Sequence, residues 1–265
     1  MFESIDQLGR KLVFETRPTR IISLVPSQTE LLHYLGLENE VIGITKFCVH
    51  PDDWFRHKTR IGGTKNINIE AIKALKPDLI IANKEENIKE QIDDLQGIAP
   101  VWVSDVNSFE DALQMIEVIG FLTGKNEKAN NLLETIKLRF NQLLTQKSQL
   151  TACYLIWQEP YMTIGGDTFI SSMMGFCGFK NVFQNANRYP EITLQELTSL
   201  NCQIVLLSSE PYPFKQKHID EIQAILPDTK IILVDGEMFS WYGNRLLQAA
   251  DYFEELRKIF GNSIT

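Results

Sequence analysis

The chain has 265 residues, of which 44% are hydrophobic and 23% charged, and a formal net charge of -8. This is ordinary globular composition with enough apolar material for two cores, which excludes a disordered chain, and the length exceeds the roughly 100 to 200 residues usual for one domain. The acidic balance, with no basic cluster anywhere, argues against a nucleic-acid partner, because such binding needs a cationic stripe to displace phosphate counterions.

The first fifteen residues, MFESIDQLGRKLVFE, contain no apolar stretch of signal-peptide type, and no run of about 18 apolar residues follows. The expectation is that nothing spans a membrane, and that the protein either stays in the cytoplasm or is a trimmed mature form. Residues 20–25 (RIISLV) form a continuous apolar run that Pro26 ends, which predicts a buried strand. A helix is expected directly after it. Ser27 and Glu30 have capping-box spacing, Leu31, Leu32 and Leu35 give its apolar face, and Gly36 ends it. Strands are then predicted at 41–45, 79–82 and 101–103, and helices at 69–75 and from Ser108 to Leu122, where Gly124 breaks the pattern.

Next comes a stretch from Glu127 to about Ser148 without Gly or Pro, with apolar residues at Ala129, Leu132, Leu133, Ile136, Phe140, Leu143 and Leu144. Such a helix reaches roughly 30 Å, the width of a small domain. A second alternation follows, with strands at 152–157, 204–207 and 231–234. Helices are expected near 168–174, 194–200, 217–225 and 244–260, and Thr193 and Glu196 give another capping-box spacing. The expected architecture is α/β, with two Rossmann-like lobes of parallel sheet joined by one long helix. The boundaries are 1–125 for the first lobe, 126–149 for the connecting helix and 150–265 for the second lobe. The alternative is one mixed sheet.

In open parallel sheets ligands bind beyond the carboxyl ends of the strands. The loops at those places are rich in aromatic residues: Phe47, Cys48, His50 and Trp54 after 41–45, and Trp157, Glu159 and Tyr161 after 152–157. Tyr212 and Phe214 follow 204–207, and Glu237, Phe239, Trp241 and Tyr242 follow 231–234. Rigid rings recurring after four strands suit a large cyclic or planar ligand in a mostly apolar site, while a single such ring is equally well explained as a cap on the sheet. Prolines beside them stiffen the loops.

Cys48 and His50 admit three readings: metal ligands, nucleophile and base, or ordinary loop residues with His50 bonding a bound group. The further ligands of a zinc site are missing from the sequence, so no metal site of the protein's own is expected. The four cysteines (Cys48, Cys153, Cys177, Cys202) have neither disulfide-rich nor C-x-x-C spacing, and Cys153 and Cys202 lie in apolar runs as small buried hydrophobes. Gly62-Gly63 and Gly165-Gly166 do not open helices in phosphate-loop form and are expected to serve turns. No catalytic elbow or metalloprotease motif is present, so no enzyme activity is expected.

The segments DQLGRKLVFETRPTRIISLVPSQTELLHYLG, EVIGIT, IEAIKALKPDLIIA and DGEMFSWYGNR resemble the helical-backbone (class III) substrate-binding proteins of importers for ferric siderophores, haem and cobalamin, and most of all the periplasmic cobalamin-binding ones. The resemblance covers nearly the whole chain. It implies two lobes on a backbone helix and a corrinoid, or alternatively haem or a ferric chelate, held between loops; the lack of a signal-peptide stretch leaves an intracellular carrier of cobalamin or a metal cofactor as the other reading. It also implies a periplasmic location, a monomer without a cofactor of its own, and a partner permease dimer with its ATPase. Residue by residue, Phe47 and Trp157 stand where the cobalamin-binding members have aromatics, Tyr189 replaces a Trp, Glu237 falls near an Asp, and Thr64 stands where another Trp is expected. The family docks on its permease through one carboxylate in each lobe. Glu70 matches the first, and the second falls on Gln195 or on the adjacent Glu196.

Overall fold

The computed structural model describes residues 1–144 and 150–261. The chain divides into two compact units. The first comprises Met1–Val106, Glu110–Thr135 and Tyr242–Arg245, and the second comprises Asn107–Phe109, Ile136–Trp241 and the chain from Leu246.

The first unit opens with an antiparallel hairpin, β1 (Phe2–Ile5) and β2 (Lys11–Phe14), in which Phe2 lies opposite Phe14 with ring centroids 5.2 Å apart. Asp6 makes the turn: its buried carboxylate accepts from the backbone N–H of Leu8 (3.0 Å) and Arg10 (2.8 Å) and pairs with the Arg10 guanidinium (2.6 Å). There follow β3 (Ile21–Ser23), α1 (Pro26–Tyr34), β4 (Val41–Ile44), α2 (Asp52–His57), β5 (Thr59–Arg60), α3 (Ile69–Leu75), β6 (Leu79–Asn83), α4 (Lys89–Leu95), β7 (Val101–Ser104) and α5 (Phe109–Thr123). The sheet has the order β5-β4-β3-β6-β7 with every pair parallel. The first strand entered, β3, therefore lies inside, and successive strands are laid down on either side of it. This puts a topological switch point beside its carboxyl end. Ile22, Leu24, Ile61, Ile72, Ile80, Ala82, Val101 and Val103 form the core, because strands covered on both faces are apolar on both faces.

Helix α6 (Asn126–Leu144) begins in the first unit and ends in the second, the division falling between Thr135 and Ile136. Its apolar positions at Ala129, Leu132, Leu133, Ile136, Phe140 and Leu143 are buried, the helical spacing read in the sequence. The predicted continuation at 145–149 lies outside the described residues.

The second unit contains β8 (Leu150–Leu155), β9 (Tyr161–Met162), α7 (Phe169–Phe176), β10 (Phe179–Asn181), β11 (Glu191–Ile192), α8 (Leu194–Ser199), β12 (Ile204–Ser208), α9 (Gln216–Ile225), β13 (Lys230–Val234), α10 (Gly236–Ser240) and α11 (Leu246–Gly261). Its sheet, β10-β8-β12-β13, is parallel throughout, and β9 and β11 form a separate antiparallel pair. One side of the core is aliphatic, around Leu155, Leu197, Val205, Leu207 and Ile222. The other is a chain of rings, with Phe109 stacked on Phe140 (4.6 Å) and Phe176 and Phe253 edge-on to Phe140 at 4.9 and 6.4 Å. Arg257 from α11 donates to the carbonyls of Leu143 and Phe176, satisfying acceptors that the helix ends leave unpaired.

The expectation of α/β architecture with parallel sheets holds, and two separate parallel sheets rather than one mixed sheet are formed among the described residues. The predicted Ser27–Glu30 cap does not. Pro26 takes the first helical position of α1 with Val25 as the flanking residue, so Ser27 already lies inside the first turn and is buried. Glu30, displaced from capping, pairs with Arg245 at 2.9 Å instead. At Thr193 the Glu196 carboxylate does accept from the Thr193 backbone N–H (2.6 Å) and hydroxyl (2.9 Å). The hairpin, α2 and α4 were not read in the sequence; their apolar residues are few and partly exposed, as at Ile5 and Val13.

Candidate functional site

Beneath the loops at the carboxyl ends of the first sheet lies a layer of buried polar side chains. β3, β6 and β7 are apolar until their last residues, Ser23, Asn83 and Ser104, each at most 4% exposed. Thr29 donates to Ser23 Oγ (2.8 Å), and Asn83 Nδ2 donates to Ser104 Oγ (3.0 Å), which also receives the Gln28 amide. Asn83 Oδ1 accepts from the N–H groups of Glu85 (2.8 Å) and Glu86 (3.0 Å), which shapes the loop after β6. In the second sheet Ser208 plays the same part at the end of β12, bonded by Tyr154 at 2.9 Å. Buried polar groups that satisfy one another hold such loops in one conformation. Sequence reasoning passed over this layer, whose signal is a hydroxyl or amide residue closing an otherwise apolar strand.

The loop after β4 meets this layer at Thr29, which lies beside Cys48. Phe47 is 51% exposed, with the Lys46 ammonium 5.1 Å from its ring centroid. Its ring passes Gly63 so closely that a Cβ there would lie 3.0 Å from it, and Gly62 has φ +100 in a turn where a side chain would strike the Asn66 carbonyl. The pair therefore serves turn and close approach, not phosphate. Gly165 and Gly166 likewise spend their N–H groups on the carbonyls of Arg188 (2.7 Å) and Ala186 (3.0 Å). The structure puts Cys48 inside the loop and not on its surface. Its thiol is wholly buried, lies 3.0 Å from the Thr29 hydroxyl, and is pushed up in pKa by burial, so it is no thiolate nucleophile. His50 is half-buried at the end of the same loop. Trp54 and Thr64 are buried too, the former donating its indole N–H to Glu38.

In the second unit Trp157, directly after β8, is 41% exposed and rests edge-on against Tyr212 at 5.5 Å. Gln158 accepts from the Tyr212 hydroxyl at 2.8 Å. Glu159 is exposed with φ +66, and Tyr161 is half-buried, its hydroxyl pushed up in pKa by desolvation. Tyr189 is half-buried under the Arg188 guanidinium, 5.4 Å from its ring centroid. Glu237 lies in the first turn of α10, where its N–H bonds Asp235 at 3.0 Å. Trp241 is 8% exposed and anchored by its indole N–H on Glu210 (3.0 Å), which also receives the Ser240 hydroxyl (2.7 Å). Of the predicted rings, Phe47 and Trp157 thus present the most surface, while Trp241 and Tyr242 are packed in.

Glu70 and Glu196 are both exposed. Glu70 is in the first turn of α3 with Lys73 at 2.8 Å, and Glu196 is in the first turn of α8. The Thr193 backbone N–H holds the Glu196 carboxyl below its ordinary value. Among the described residues one set of metal-type ligands converges, His33, Glu38 and Asp53, with ligand atoms within 4.8 Å. All three are exposed, and Lys58 at 3.1 Å from Glu38 already supplies a cation there. No helix of the described residues is long and apolar enough to cross a membrane.

Exposed rings at the carboxyl ends of parallel sheets have the placement of a small-molecule binding site. The family described as periplasmic binding protein matches residues 21–225, and the chain belongs to it. It is 25% identical over 268 residues to an ABC transporter substrate-binding lipoprotein of Bacillus subtilis, covering 94% of this chain and 83% of the relative. It is 26% identical over 239 residues to the vitamin B12-binding protein of Yersinia pestis, covering 87% and 83%. Among solved structures, the periplasmic vitamin B12-binding protein of Vibrio cholerae has the same fold (TM-score 0.76, 21% identity, 91% of this chain and 99% of that one). So does the periplasmic haem-binding protein of the same organism (TM-score 0.76, 20% identity, 90% and 98%). The protein is a substrate-binding protein of the ABC-importer type.

Proposed function

We propose that the protein captures a corrinoid and delivers it to a membrane permease. The observation that carries this reading is the half-exposed indole of Trp157, braced from behind on Tyr212, with Phe47 as the corresponding exposed ring of the first unit. Rigid aromatic faces offer a macrocycle large contact area at little entropic cost. Polar groups for the ligand are supplied by Tyr189, Tyr161, Glu159 and Glu237 in the second unit and by His50 in the first, and Cys48 and Trp241 each hold their own loop from inside. The vitamin B12-binding relative supports the corrinoid over other large rings. Glu70 and Glu196, exposed at the starts of two short helices, are the carboxylates offered to the permease. The protein works as a monomer without a cofactor of its own and without turnover.

A second ligand class is haem, favoured by His50, an imidazole at the end of the Phe47 loop suited to an axial ligand. Calorimetric titration with cyanocobalamin, cobinamide, haem and a ferric hydroxamate decides between them. A tight one-to-one complex with a corrinoid is expected. Trp157→Ala should weaken it roughly 30-fold, the loss of a central aromatic anchor, with an unchanged melting temperature. Binding of haem alone would replace the corrinoid, and binding of none would remove the reading.

A further inference from the structure

A chain of hydrogen bonds runs from the interior of the second unit to the loop that carries Trp157. At its root is His218, in the first turn of α9 and 2% exposed. Its Nδ1 lies 2.7 Å from the Lys215 backbone nitrogen, which can only donate, so Nδ1 carries no proton and Nε2 carries one. That Nε2–H faces the Tyr212 hydroxyl at 3.3 Å. Because the hydroxyl receives this proton, its own hydrogen is free to go to Gln158 Oε1, 2.8 Å away. With its oxygen so engaged, Gln158 turns its amide nitrogen toward the Tyr161 hydroxyl (3.4 Å) and Glu221 (3.3 Å). Each donor thus dictates the next, from Lys215 to Tyr161.

The same residues are packed ring on ring. His218 lies edge-on to Phe214 (5.4 Å) and against Tyr212 (5.5 Å), Tyr212 against Phe214 (4.8 Å), and Trp157 edge-on to Tyr212 (5.5 Å). Tyr212 is therefore both the wall behind the Trp157 indole and the middle of the relay. We propose that His218, in its neutral Nε2–H form, is a positioning residue that fixes Tyr212 and, through it, the orientation of Trp157 and of the loop 157–161. This rests on the reading of Trp157 as a ligand-facing ring. A buried imidazole serving only to cap α9 would need its Nδ1 alone. Here the second nitrogen is spent on the loop.

The test uses the emission of Trp157, since the other three tryptophans (Trp54, Trp102, Trp241) are at most 8% exposed and Trp157→Phe identifies its share. Tyr212→Phe keeps the ring and removes the hydroxyl. His218→Asn keeps an acceptor at the Nδ1 position for Lys215, but its amide N–H is too short to reach Tyr212, whereas the longer amide of His218→Gln restores a donor at the Nε2 position toward Tyr212. Acrylamide quenching of Trp157 should change about twofold in Tyr212→Phe and His218→Asn and return toward the wild-type value in His218→Gln. Unaltered quenching in Tyr212→Phe, the variant least able to disturb folding, overturns the relay, as does a His218→Gln that behaves like His218→Asn. Titration of the same variants with cyanocobalamin and haem separates the two ideas. Altered quenching with weakened affinity supports both, whereas altered quenching with unchanged affinity leaves the relay standing and removes Trp157 from the ligand site.

Discussion

Ser27 and Thr193 each precede a glutamate by three residues, and the two glutamates do different things. Pro26 supplies the first position of α1 and moves the start of that helix back, so Glu30 emerges beyond the reach of a cap and meets Arg245. Both side chains of this pair are largely buried, at 13% and 8% exposure. Removing one partner of such a pair leaves a poorly solvated charge, whereas removing both leaves an apolar contact. Glu30→Ala is expected to cost on the order of 3 kcal/mol in chemical denaturation, and the double change Glu30→Met with Arg245→Met should recover most of it. A double variant as unstable as the single one would show that the pair is not what Glu30 contributes. The spacing of S-x-x-E is visible in sequence, but its outcome depends on the residue before the serine and on a guanidinium more than two hundred positions away.

Helix α8 is short and exposed on its outer face, and the Glu196 carboxylate at its start is its clearest local support. Because the Thr193 N–H bonds the ionised form, the folded carboxyl titrates below the ordinary 4.5. The sign follows: the support is complete above about pH 4.5 and is lost as the pH falls through the lower folded value. Acid titration followed by amide shifts in α8 should therefore show a transition in the wild type that Glu196→Gln lacks, and equal profiles would show that the carboxylate does not hold the helix. The principal strands of both sheets were legible as continuous apolar runs, since strands covered on both faces need no polar side. Strands β5, β9, β10 and β11 were not, because two or three residues carry no period. The Phe47 and Trp157 loops were legible as clusters of rings. That Phe47 and Trp157 face outward while Trp54 and Trp241 face inward was not, because it depends on Glu38 and Glu210 receiving the buried indoles.

At the scale of the molecule the four thiols report on the two cores. Cys48 lies in the first unit and Cys153, Cys177 and Cys202 in the second, all buried, with burial raising every thiol and Cys202 to about 11. Thiolates are the reactive form, so native protein at neutral pH should resist a thiol reagent. Labelling read residue by residue by mass spectrometry in rising denaturant should then give the opening of each unit separately. Rapid labelling of Cys48 without denaturant would contradict its enclosure by Thr29 and Thr45.

By itself the sequence determined the fold class, the pairing of sheet strands with helices and the loops in which a ligand site would be sought. Those depend on local apolar periods and on the rule that parallel sheets bind at their carboxyl ends. Tertiary structure alone decided which side chains in those loops meet solvent and what braces them. Orientation is set by tertiary partners: Thr29, which bonds Ser23 at the end of β3 and lies 3.0 Å from Cys48 of the Phe47 loop, and Tyr212, which is bonded by His218 and backs Trp157 from more than fifty positions away.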